Sequence, residues 1–429
     1  TEHGYDQPDD KFFSWIRGHH LGGRSITWGK QSYRWSAMDF ESNKNDGYGV
    51  DWPIRYDDLA PWYDYVETFA GICGNKDGLD VLPDGVFQPA FEFTVVEKVI
   101  KERIEAAFED RHFIMSRAAH LTEPTQEQLD LGRSKCQFRR ECSRGCSFGA
   151  YFSSQSATLP AANRTGNLTT VTDAVAHSVT YDPDTGKATG VRVIDAITKE
   201  AREYTGRVVF LCASTIGSTQ IMLNSVSDSF QNGIANGSGV LGHYLMDHVF
   251  QAGATGRMEG YEDQYHSGRR PGGIYIPRFR NVNGDKQENF LRGYGYQGAA
   301  YRRNKIADNY ETAGYGKDFK NDLQDAGEWW YGMTGFGEML PRYENHISVK
   351  KKIFQSLSKL LKQGLSPVKL SLVVALGIAL SIFPVLGTTT LICTLVSIFF
   401  NLNLPAMQLA NYAAFPLQII LFFPFLKLG

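Results

Sequence analysis

The last part of the chain has a hydropathy pattern that differs from the rest. Residues 370–426 contain no charged side chain and are rich in Leu, Ile, Val and Phe. A membrane-spanning helix needs about 20 apolar residues, so the pattern predicts two transmembrane segments, at residues 370–400 and 404–426. The first segment is predicted either as one span or as two half-helices, because Pro384 and Gly387 would break a continuous helix.

A short basic segment precedes these apolar residues. Between residues 350 and 363, the apolar side chains fall on one helical face, whereas Lys359 and Lys362 lie off it. This pattern predicts an amphipathic helix on an anionic lipid surface, with the Lys-rich flank in the cytoplasm. The alternative is a buried hydrophobic helical hairpin of a soluble protein.

The patterns before residue 350 predict a mixed α/β segment. Thr94 and Glu97 form a capping box at the start of an amphipathic helix predicted over Thr94–Asp110. Short strand patterns and one continuous apolar run, typical of a buried parallel strand, follow later. The predicted strands are Leu168–Thr172, Val175–Tyr181, Val191–Ile197 and Val208–Ala213, with a turn at Asp182–Gly186 and a helix at Thr219–Asn224. This order of elements is typical of two-dinucleotide-binding flavoproteins.

Charge divides the chain near residue 349. The 429 residues together have a formal net charge of −2 and a hydrophobic content of 42%. These values exclude a disordered chain, a collagen and a strongly basic nucleic-acid binder. Residues 350–429 contain seven Lys and no Arg, Asp or Glu, whereas residues 1–349 contain 37 basic and 46 acidic side chains. The sequence therefore predicts an acidic front part, soluble by itself, joined near Val349 to a basic membrane part.

Paired glycines mark the first candidate for a ligand-binding loop. Gly22 and Gly23 open the run Gly22–Gly29, and paired glycines let the backbone approach a ligand and cradle an anion. The alternative is an ordinary glycine turn. Two literal G-x-G-x-x-G strings, at residues 237–242 and 293–298, follow polar loops instead of strands. They lack the context of a dinucleotide fingerprint, so the dinucleotide-binding turn is expected to be absent from this chain.

Several sequence blocks carry a family resemblance. The front blocks are Arg17 with Leu21–Gly29, Asp51–Ile54, Leu59–Tyr63, Gly145-Cys146, Gly149-Ala150, Leu211–Ser218, Leu223–Ser225, Gly239 with Leu241-Gly242, Leu245 with Asp247-His248, and Leu340–Asn345. Together they resemble the glucose–methanol–choline (GMC) family of FAD oxidoreductases, and within it the gluconate- and sugar-dehydrogenase-like branch. Phe383–Thr390 and Leu402–Pro405 resemble a family of small bacterial inner-membrane proteins of unknown function. The second resemblance implies a bacterial inner-membrane location, in contact with lipid.

The GMC resemblance implies an incomplete α/β flavin domain with an inserted antiparallel-sheet substrate domain. The flavin-domain pieces would be residues 12–35 and 135–250, and the substrate-domain pieces 51–130 and 251–349. The implied chemistry is hydride transfer from a CH–OH group of a sugar, polyol or sugar acid to the flavin N5, with an electron acceptor that the resemblance does not specify. The implied FAD-binding residues are Gly22, Gly23, Arg24, Ser25, Trp28, Gly29, Val175, Ala213, Ser214 and Gly217, and many relatives carry Asn where Trp28 stands.

The catalytic histidine of the family has no counterpart in this sequence. Glu344–Val349 match the approach to the family's catalytic segment, and no histidine follows His346. His248 is a weak substitute for the general base that alcohol oxidation needs. The chain is therefore expected to bind FAD weakly or not at all and to be inactive. The alternative is an integral-membrane protein of unknown function whose front part is a non-catalytic remnant or an artefactual join.

Three cysteines lie close together in the sequence. Cys136, Cys142 and Cys146 have the spacing C-x5-C-x3-C, and related proteins often carry a fourth Cys where Arg139 stands. The resemblance to some FAD sugar dehydrogenases implies an iron–sulfur cluster here, and three thiolates could hold three irons. The alternative, which the missing fourth cysteine favours, is a small structural loop with one disulfide.

Overall fold

The protein divides into two compact units. The computed structural model describes residues 5–139, 142–264, 272–304, 306, 314–349, 367–381, 389–400, 402–404, 406–412 and 414. The two units are Thr1–Ile347 and Ser348–Gly429. The division falls just before Val349, where the charge pattern of the sequence changes.

The larger sheet of the first unit has five antiparallel strands. These are β1 (Ile114–Met115), β5 (His248–Met258), β6 (Ile274–Ile276), β7 (Tyr294–Arg303) and β8 (Glu328–Glu338). Their order is β1-β6-β7-β8-β5. In the pairing of β7 with β8, Tyr294 lies opposite Gly337 and Arg303 lies opposite Glu328. The antiparallel sheet agrees with the substrate-domain architecture that the family resemblance implies.

Helix α3 (Val95–Ala107) covers this sheet and begins where the sequence predicts it. The Thr94 hydroxyl accepts from the Glu97 N–H at 3.3 Å, and the Glu97 carboxylate accepts from the Thr94 N–H at 2.8 Å. The capping box is therefore confirmed. The helix ends before the predicted Asp110 because Phe108 adopts an extended backbone. Val96 packs in a buried cluster with Phe113 and Trp329, which joins the helix to the sheet.

The described first unit has five further α-helices, besides a sixth that follows the smaller sheet in the chain. They are α1 (Ala37–Asp46), α2 (Tyr56–Ala70), α4 (Gln126–Asp130), α5 (Leu159–Arg164) and α7 (Lys317–Gln324). Helix α2 ends at Gly71, whose φ of 75° is the left-handed conformation that glycine adopts without strain. A Cβ at this position would lie 2.1 Å from the Leu121 Cδ2, so the close contact also requires glycine.

The smaller sheet has three antiparallel strands in the order β2-β3-β4. They are β2 (Ala174–Asp182), β3 (Lys187–Asp195) and β4 (Ala201–Thr205). The predicted turn between β2 and β3 is confirmed, because the Gly186 N–H donates to the Asp182 carbonyl at 3.0 Å. The prediction of a strand over Leu168–Thr172 is wrong, since these residues enter no sheet. The sequence pattern also missed β4, whose five residues are all exposed.

The prediction of a buried parallel strand over Val208–Ala213 is wrong. These residues form no strand, and the side chains of Val208 and Phe210 are 68% and 82% exposed. A continuous apolar run is buried as a strand only where neighbouring strands pair with it, and these residues have no such partner among the described strands. Helix α6 (Ser214–Asn224) follows directly, earlier than the predicted start at Thr219. It packs on β2, where the Ser225 hydroxyl accepts from the Val179 N–H at 2.8 Å.

The second unit is helical where it is described. Its helices are α8 (Pro367–Ser381), α9 (Thr389–Phe399) and a further helical stretch at residues 406–412. Val373, Cys393 and Met407 form its buried cluster. The stretch at 406–412 approaches α8 so closely that a Cβ on Gly377 would lie 2.7 Å from the Ala410 Cβ. The Gln408 amide donates to the Thr390 carbonyl at 2.9 Å, which ties this stretch to α9.

The predicted transmembrane hairpin finds no support in this unit. Among the described helices, none has both the length and the apolar character that a membrane crossing requires. Of the two alternatives predicted for residues 370–400, the structure agrees with two separate helices, which have 15 and 11 residues, and not with one long helix. Pro384 and Gly387 lie between them, in residues 382–388, which fall outside the described residues. Most of the predicted span 404–426 and the predicted basic helix at 350–363 also lie outside the described residues.

Candidate functional site

The two paired glycines form a tight turn that docks on a serine-rich segment. The residues Gly23–Ile26 make a single 3-10 turn, and Gly22 and Gly23 have φ values of 92° and 50°. The Ser25 hydroxyl donates to the Gly22 carbonyl at 2.5 Å and accepts from the Ser154 N–H at 2.9 Å. The left-handed conformation of the two glycines explains why the sequence needs glycine there.

Trp28 and Gly29 follow this turn and differ in their surroundings. The Trp28 indole N–H donates to the Phe152 carbonyl at 3.0 Å, and its ring packs edge-to-face on the Phe152 ring. Trp28 therefore fixes the turn to the chain at Phe152. Gly29 is exposed, and a Cβ added there would meet nothing within 4 Å.

A cavity of about 620 Å³ opens beside this turn. Its lining residues are Ile26, Leu131, Gly132, Arg144, Gly145, Cys146, Ser147, Gly149, Ser153, Gln155 and Ser156. This volume lies within the range of small-molecule sites. Gly132 and Gly145 both have positive φ, and a Cβ on either would meet nothing within 4 Å. The backbone is therefore open to a ligand at two points of the wall, and Arg144 offers a positive charge.

The second group of predicted cofactor residues lies on other elements. Val175 is on β2 and is 57% exposed. Ser214 and Gly217 lie in the first turn of α6, and Ala213, the N-cap residue before it, makes no side-chain capping bond. A smaller cavity of about 250 Å³ lies here and is lined by Thr215, Thr219, His243 and neighbouring residues. Unbonded N–H groups at a helix N-terminus favour an anion.

The described contacts thus place the predicted residues in two groups. The turn Gly23–Ile26 contacts residues 142–144 and 154–158, whereas α6 contacts β2. The sequence patterns did not reveal Ser154 as a partner of the glycine turn, or Ser153 and Ser156 as residues of the cavity wall. The Ser25 and Ser154 hydroxyls are 3.1 Å apart although 129 positions separate them in the chain, and no local pattern links such distant residues.

A buried polar cluster lies close to the glycine turn, and no pattern in the sequence indicates it. Neither His120 nitrogen has a hydrogen-bond partner among the described residues, and the same holds for the Tyr151 hydroxyl. Both side chains are 1% exposed, and their rings meet with centroids 5.7 Å apart. The Lys30 ammonium lies 4.3 Å from the Tyr151 ring centroid, which is a cation–π contact. Burial, with the charges of Lys30 and Arg133, lowers the pKa of His120 to about 3.

We expect that Tyr151→Phe raises the free energy of unfolding by about 1 kcal/mol. The substitution removes a buried hydroxyl that has no partner, and such a group carries an uncompensated desolvation cost. Tyr331 also has a buried hydroxyl without a partner, so Tyr331→Phe serves as a matched variant with the same expected gain. Tyr33 donates its hydroxyl to the Gln31 side chain, so Tyr33→Phe should lose stability instead. Urea unfolding of the three variants measures this, and a loss of stability in Tyr151→Phe would show that its hydroxyl is bonded.

The structure does not support the predicted iron–sulfur site. The six cysteines, all within the described residues, form no disulfide. Within the same residues, no three His, Cys, Asp or Glu side chains converge on a point where they could hold a metal ion. Cys136, Cys142 and Cys146 therefore form no such group among the described residues.

His248 stands at the first residue of β5 and is exposed. Its backbone N–H donates to the Asp247 carboxylate at 2.7 Å, and its ring packs edge-to-face on Phe336 with centroids 5.8 Å apart. These contacts are those of a residue that begins a strand. They give His248, the last residue of the sequence block Leu245 to His248, a structural role. Its assignment as a substitute base stays a prediction.

Comparison with known proteins shows the family to which the chain belongs. Residues 7–250 match the family described as GMC oxidoreductase, which is more than half of the chain, so the chain belongs to this family. Residues 350–429 match a family described as an uncharacterized protein conserved in bacteria.

Three curated relatives give more detail. The chain is 26% identical over 80% of its length to 2-methyl-1,2-propanediol dehydrogenase of Mycolicibacterium austroafricanum, and covers 61% of that protein. It is 24% identical over 53% of its length to the fructose dehydrogenase large subunit of Gluconobacter japonicus, of which it covers 41%. It is 28% identical over 55% of its length to paromamine 6'-oxidase of Streptomyces fradiae, of which it covers 42%. The chain thus spans about two fifths to three fifths of the length of these relatives.

Proposed function

We propose that residues 1–349 form part of an FAD-dependent oxidoreductase that acts on CH–OH groups of a sugar, polyol or sugar acid. The observation that carries the proposal is the glycine turn at Gly22–Ile26 beside a 620 Å³ cavity, in a chain of the GMC family. The names of two relatives, a propanediol dehydrogenase and a fructose dehydrogenase, refer to a diol and a sugar. They support the substrate class without selecting one substrate.

The residues of the cavity fit a flavin nucleotide. Gly132 and Gly145 leave open space where a Cβ would stand, which suits the approach of a planar ring or a phosphate to the backbone. Arg144 lines the same cavity, and Arg24 is exposed on the adjoining turn. These two cations suit the pyrophosphate of FAD.

In this proposal the chain's own residues bind and orient the cofactor. Gly22, Gly23 and Ser25 hold the turn in shape, Arg24 neutralises phosphate charge, and Trp28 anchors the turn at Phe152. Val175, Ala213, Ser214 and Gly217 belong to the proposed second half of the cofactor cleft. When bound, FAD would supply a hydride acceptor for oxidation of the alcohol carbon.

We also propose that turnover by this chain is absent or slow. His248 is the substitute that the sequence offers for accepting the hydroxyl proton, and it is an exposed side chain on β5. A general base works best when it is held in place and shielded from water. Neither condition is met by His248, whose exposed ring packs edge-to-face on Phe336.

The role of Arg24 can be tested by charge reversal. We expect Arg24→Glu to weaken FAD binding at least about tenfold, because a carboxylate would repel the pyrophosphate that the guanidinium attracts. Quenching of flavin fluorescence on titration of the full chain measures the affinity. Arg103, an exposed residue of α3, provides the control, and Arg103→Glu should leave the affinity unchanged. Equal affinities for all three proteins would exclude Arg24 from the site.

A second proposed function concerns residues 350–429, which we place at the cytoplasmic side of a bacterial inner membrane. The apolar side chains Leu391, Leu395 and Ile398 of α9 are 62%, 58% and 71% exposed. Their spacing puts them on one helical face, and the Lys-rich sequence before α8 complements anionic lipid. Sedimentation of the full chain with vesicles containing anionic lipid tests this, and protein left in the supernatant would contradict it.

A further inference from the structure

Two tryptophan side chains lie next to each other on the surface of the first unit. Trp35 is 48% exposed and Trp52 is 38% exposed. Their ring centroids are 5.2 Å apart, and the ring planes are inclined at 55°. Phe40, which is 1% exposed, packs edge-to-face on both rings with centroids 5.8 Å away. The three rings therefore form a bent aromatic platform, with a buried base and with part of each indole open to solvent.

The start of α1 holds Trp35 in place. Ser36 is the N-cap residue, and its N–H donates to the Asp39 carboxylate at 2.7 Å in a capping box. Trp35 before the cap and Phe40 in the helix occupy the two positions of a hydrophobic staple. A staple requires only an apolar contact, which a leucine would also supply. The staple therefore explains why an apolar side chain stands at position 35, but not why it is a half-exposed indole.

Charged side chains border the platform and can form hydrogen bonds. The Arg55 guanidinium donates to the Trp52 carbonyl and, at 2.7 Å, to the Asp51 carboxylate. The Arg55 Nε lies 3.7 Å from the Glu41 carboxylate. All three charged side chains are 38–43% exposed, and each carboxylate has lone pairs beyond those that Arg55 uses. The ion pairs thus hold these groups in position and leave them able to bond to a ligand.

We propose that Trp35 and Trp52 form a carbohydrate-binding surface. A sugar ring carries weakly positive C–H groups on its face and hydroxyl groups around its edge. The face of an indole is negative and apolar, so it attracts the C–H groups, while a carboxylate accepts from the hydroxyls. Asp51 and Glu41 lie beside the platform, so both kinds of group are available to one ligand. None of these residues lines the cavity assigned to the flavin.

The charged border favours a sugar over a protein as the ligand. The cores of protein interfaces are depleted of charged residues, whereas Asp51 is adjacent to Trp52 in the chain and Glu41 is adjacent to Phe40. The choice of a carbohydrate also rests on the proposed function, in which the chain belongs to an enzyme that acts on a sugar, polyol or sugar acid. The surface would hold a sugar on the protein whether or not FAD is bound.

Ligand-detected saturation-transfer NMR on the full chain without FAD tests the proposal. Cellobiose is the probe, because its sugar rings carry C–H groups on both faces. Sorbitol, an acyclic polyol without a ring face, is the control ligand. Cellobiose should receive saturation, most strongly at its axial C–H protons, and sorbitol should receive none. Equal transfer to both ligands, or no transfer to cellobiose, would overturn the proposal, and neither result requires a variant to fold.

Substitutions show whether the two indoles hold the sugar. Trp35→Leu and Trp52→Leu retain an apolar contact with Phe40, and each should weaken cellobiose binding at least about tenfold. Trp62 is 65% exposed and lies on α2, so Trp62→Leu provides the matched control and should leave the affinity unchanged. Circular dichroism establishes that each variant folds. Folded Trp35→Leu and Trp52→Leu variants with wild-type affinity would also overturn the proposal.

Two comparisons separate this surface from the flavin site. Arg24→Glu should bind cellobiose as well as wild type does, and Trp52→Leu should bind FAD as well as wild type does. Loss of cellobiose binding in Arg24→Glu, or a cellobiose signal only in the presence of FAD, would place the sugar at the flavin cavity and overturn the proposal. Cellobiose binding by a chain that takes up no FAD would support the surface while contradicting the flavin site.

Discussion

Wild-type protein is expected to lose stability steeply below neutral pH, and His120→Phe is expected to remove a large share of that loss. The pKa of His120 falls from 6.5 to about 3 because the ring is buried and faces the charges of Lys30 and Arg133. The folded state therefore resists protonation, whereas the unfolded chain takes up a proton near pH 6.5. The stabilising contribution is present above pH 6.5 and is lost as the pH falls towards 3.

The expected size of this effect is about 1.4 kcal/mol for each pH unit in that window. Phe fits the aromatic surroundings of His120, which include Phe91 and Tyr151, and it leaves no buried nitrogen without a partner. Urea unfolding from neutral pH down to about pH 4 gives the slope for each protein. His112 is exposed, so His112→Phe should keep the wild-type slope. Identical slopes for wild type and His120→Phe would show that His120 is not buried as described.

Arg117→Met is expected to destabilise the first unit by about 2–4 kcal/mol, because it removes a buried cation and leaves two partly buried carboxylates without their partner. The Arg117 side chain is 0% exposed and donates to Asp84 at 2.8 Å, to Asp77 at 3.3 Å and to the Pro83 carbonyl at 2.5 Å. Chemical unfolding of the variant measures the loss.

Two further variants show whether the charge network causes the effect. Arg103→Met, which removes an exposed arginine of α3, should change stability by less than about 0.5 kcal/mol. Adding Asp77→Asn and Asp84→Asn to Arg117→Met should recover part of the loss, because the uncompensated charges are gone. A loss below about 1 kcal/mol in Arg117→Met would mean that water, and not Arg117, balances these carboxylates.

The features that the sequence predicted correctly are set by residues that lie close together along the chain. The capping box at Thr94 and the turn at Asp182–Gly186 are each complete within a few residues, so local rules describe them. The strand expected at Val208–Ala213 depends on pairing with another segment, and an apolar run alone does not specify that partner. The same reason explains why β4, a short polar strand, was missed, since only its pairing with β3 defines it.

In the candidate site too, features set by neighbouring residues were predicted from the sequence, and features set by contacts between distant residues were not. The glycine turn was predicted from the residues Gly22 and Gly23, and its positive φ values agree with that choice. The cavity wall at Arg144 and Ser153–Ser156 depends on contacts between distant parts of the chain. The buried pair His120 and Tyr151 arises from an antiparallel bridge between their backbones, which no spacing in the sequence reveals. In the second unit, the run of uncharged residues predicted that helices form, but it did not predict how long they are.

Binding of FAD to the full chain tests directly whether the glycine turn and its cavity form a flavin site. We expect weak but saturable uptake, seen as quenching of flavin fluorescence on titration, with Arg24→Glu weaker than wild type and Arg103→Glu equal to it. Folded protein that takes up no FAD at any accessible concentration would contradict the assignment of the glycine turn and its cavity as a flavin site.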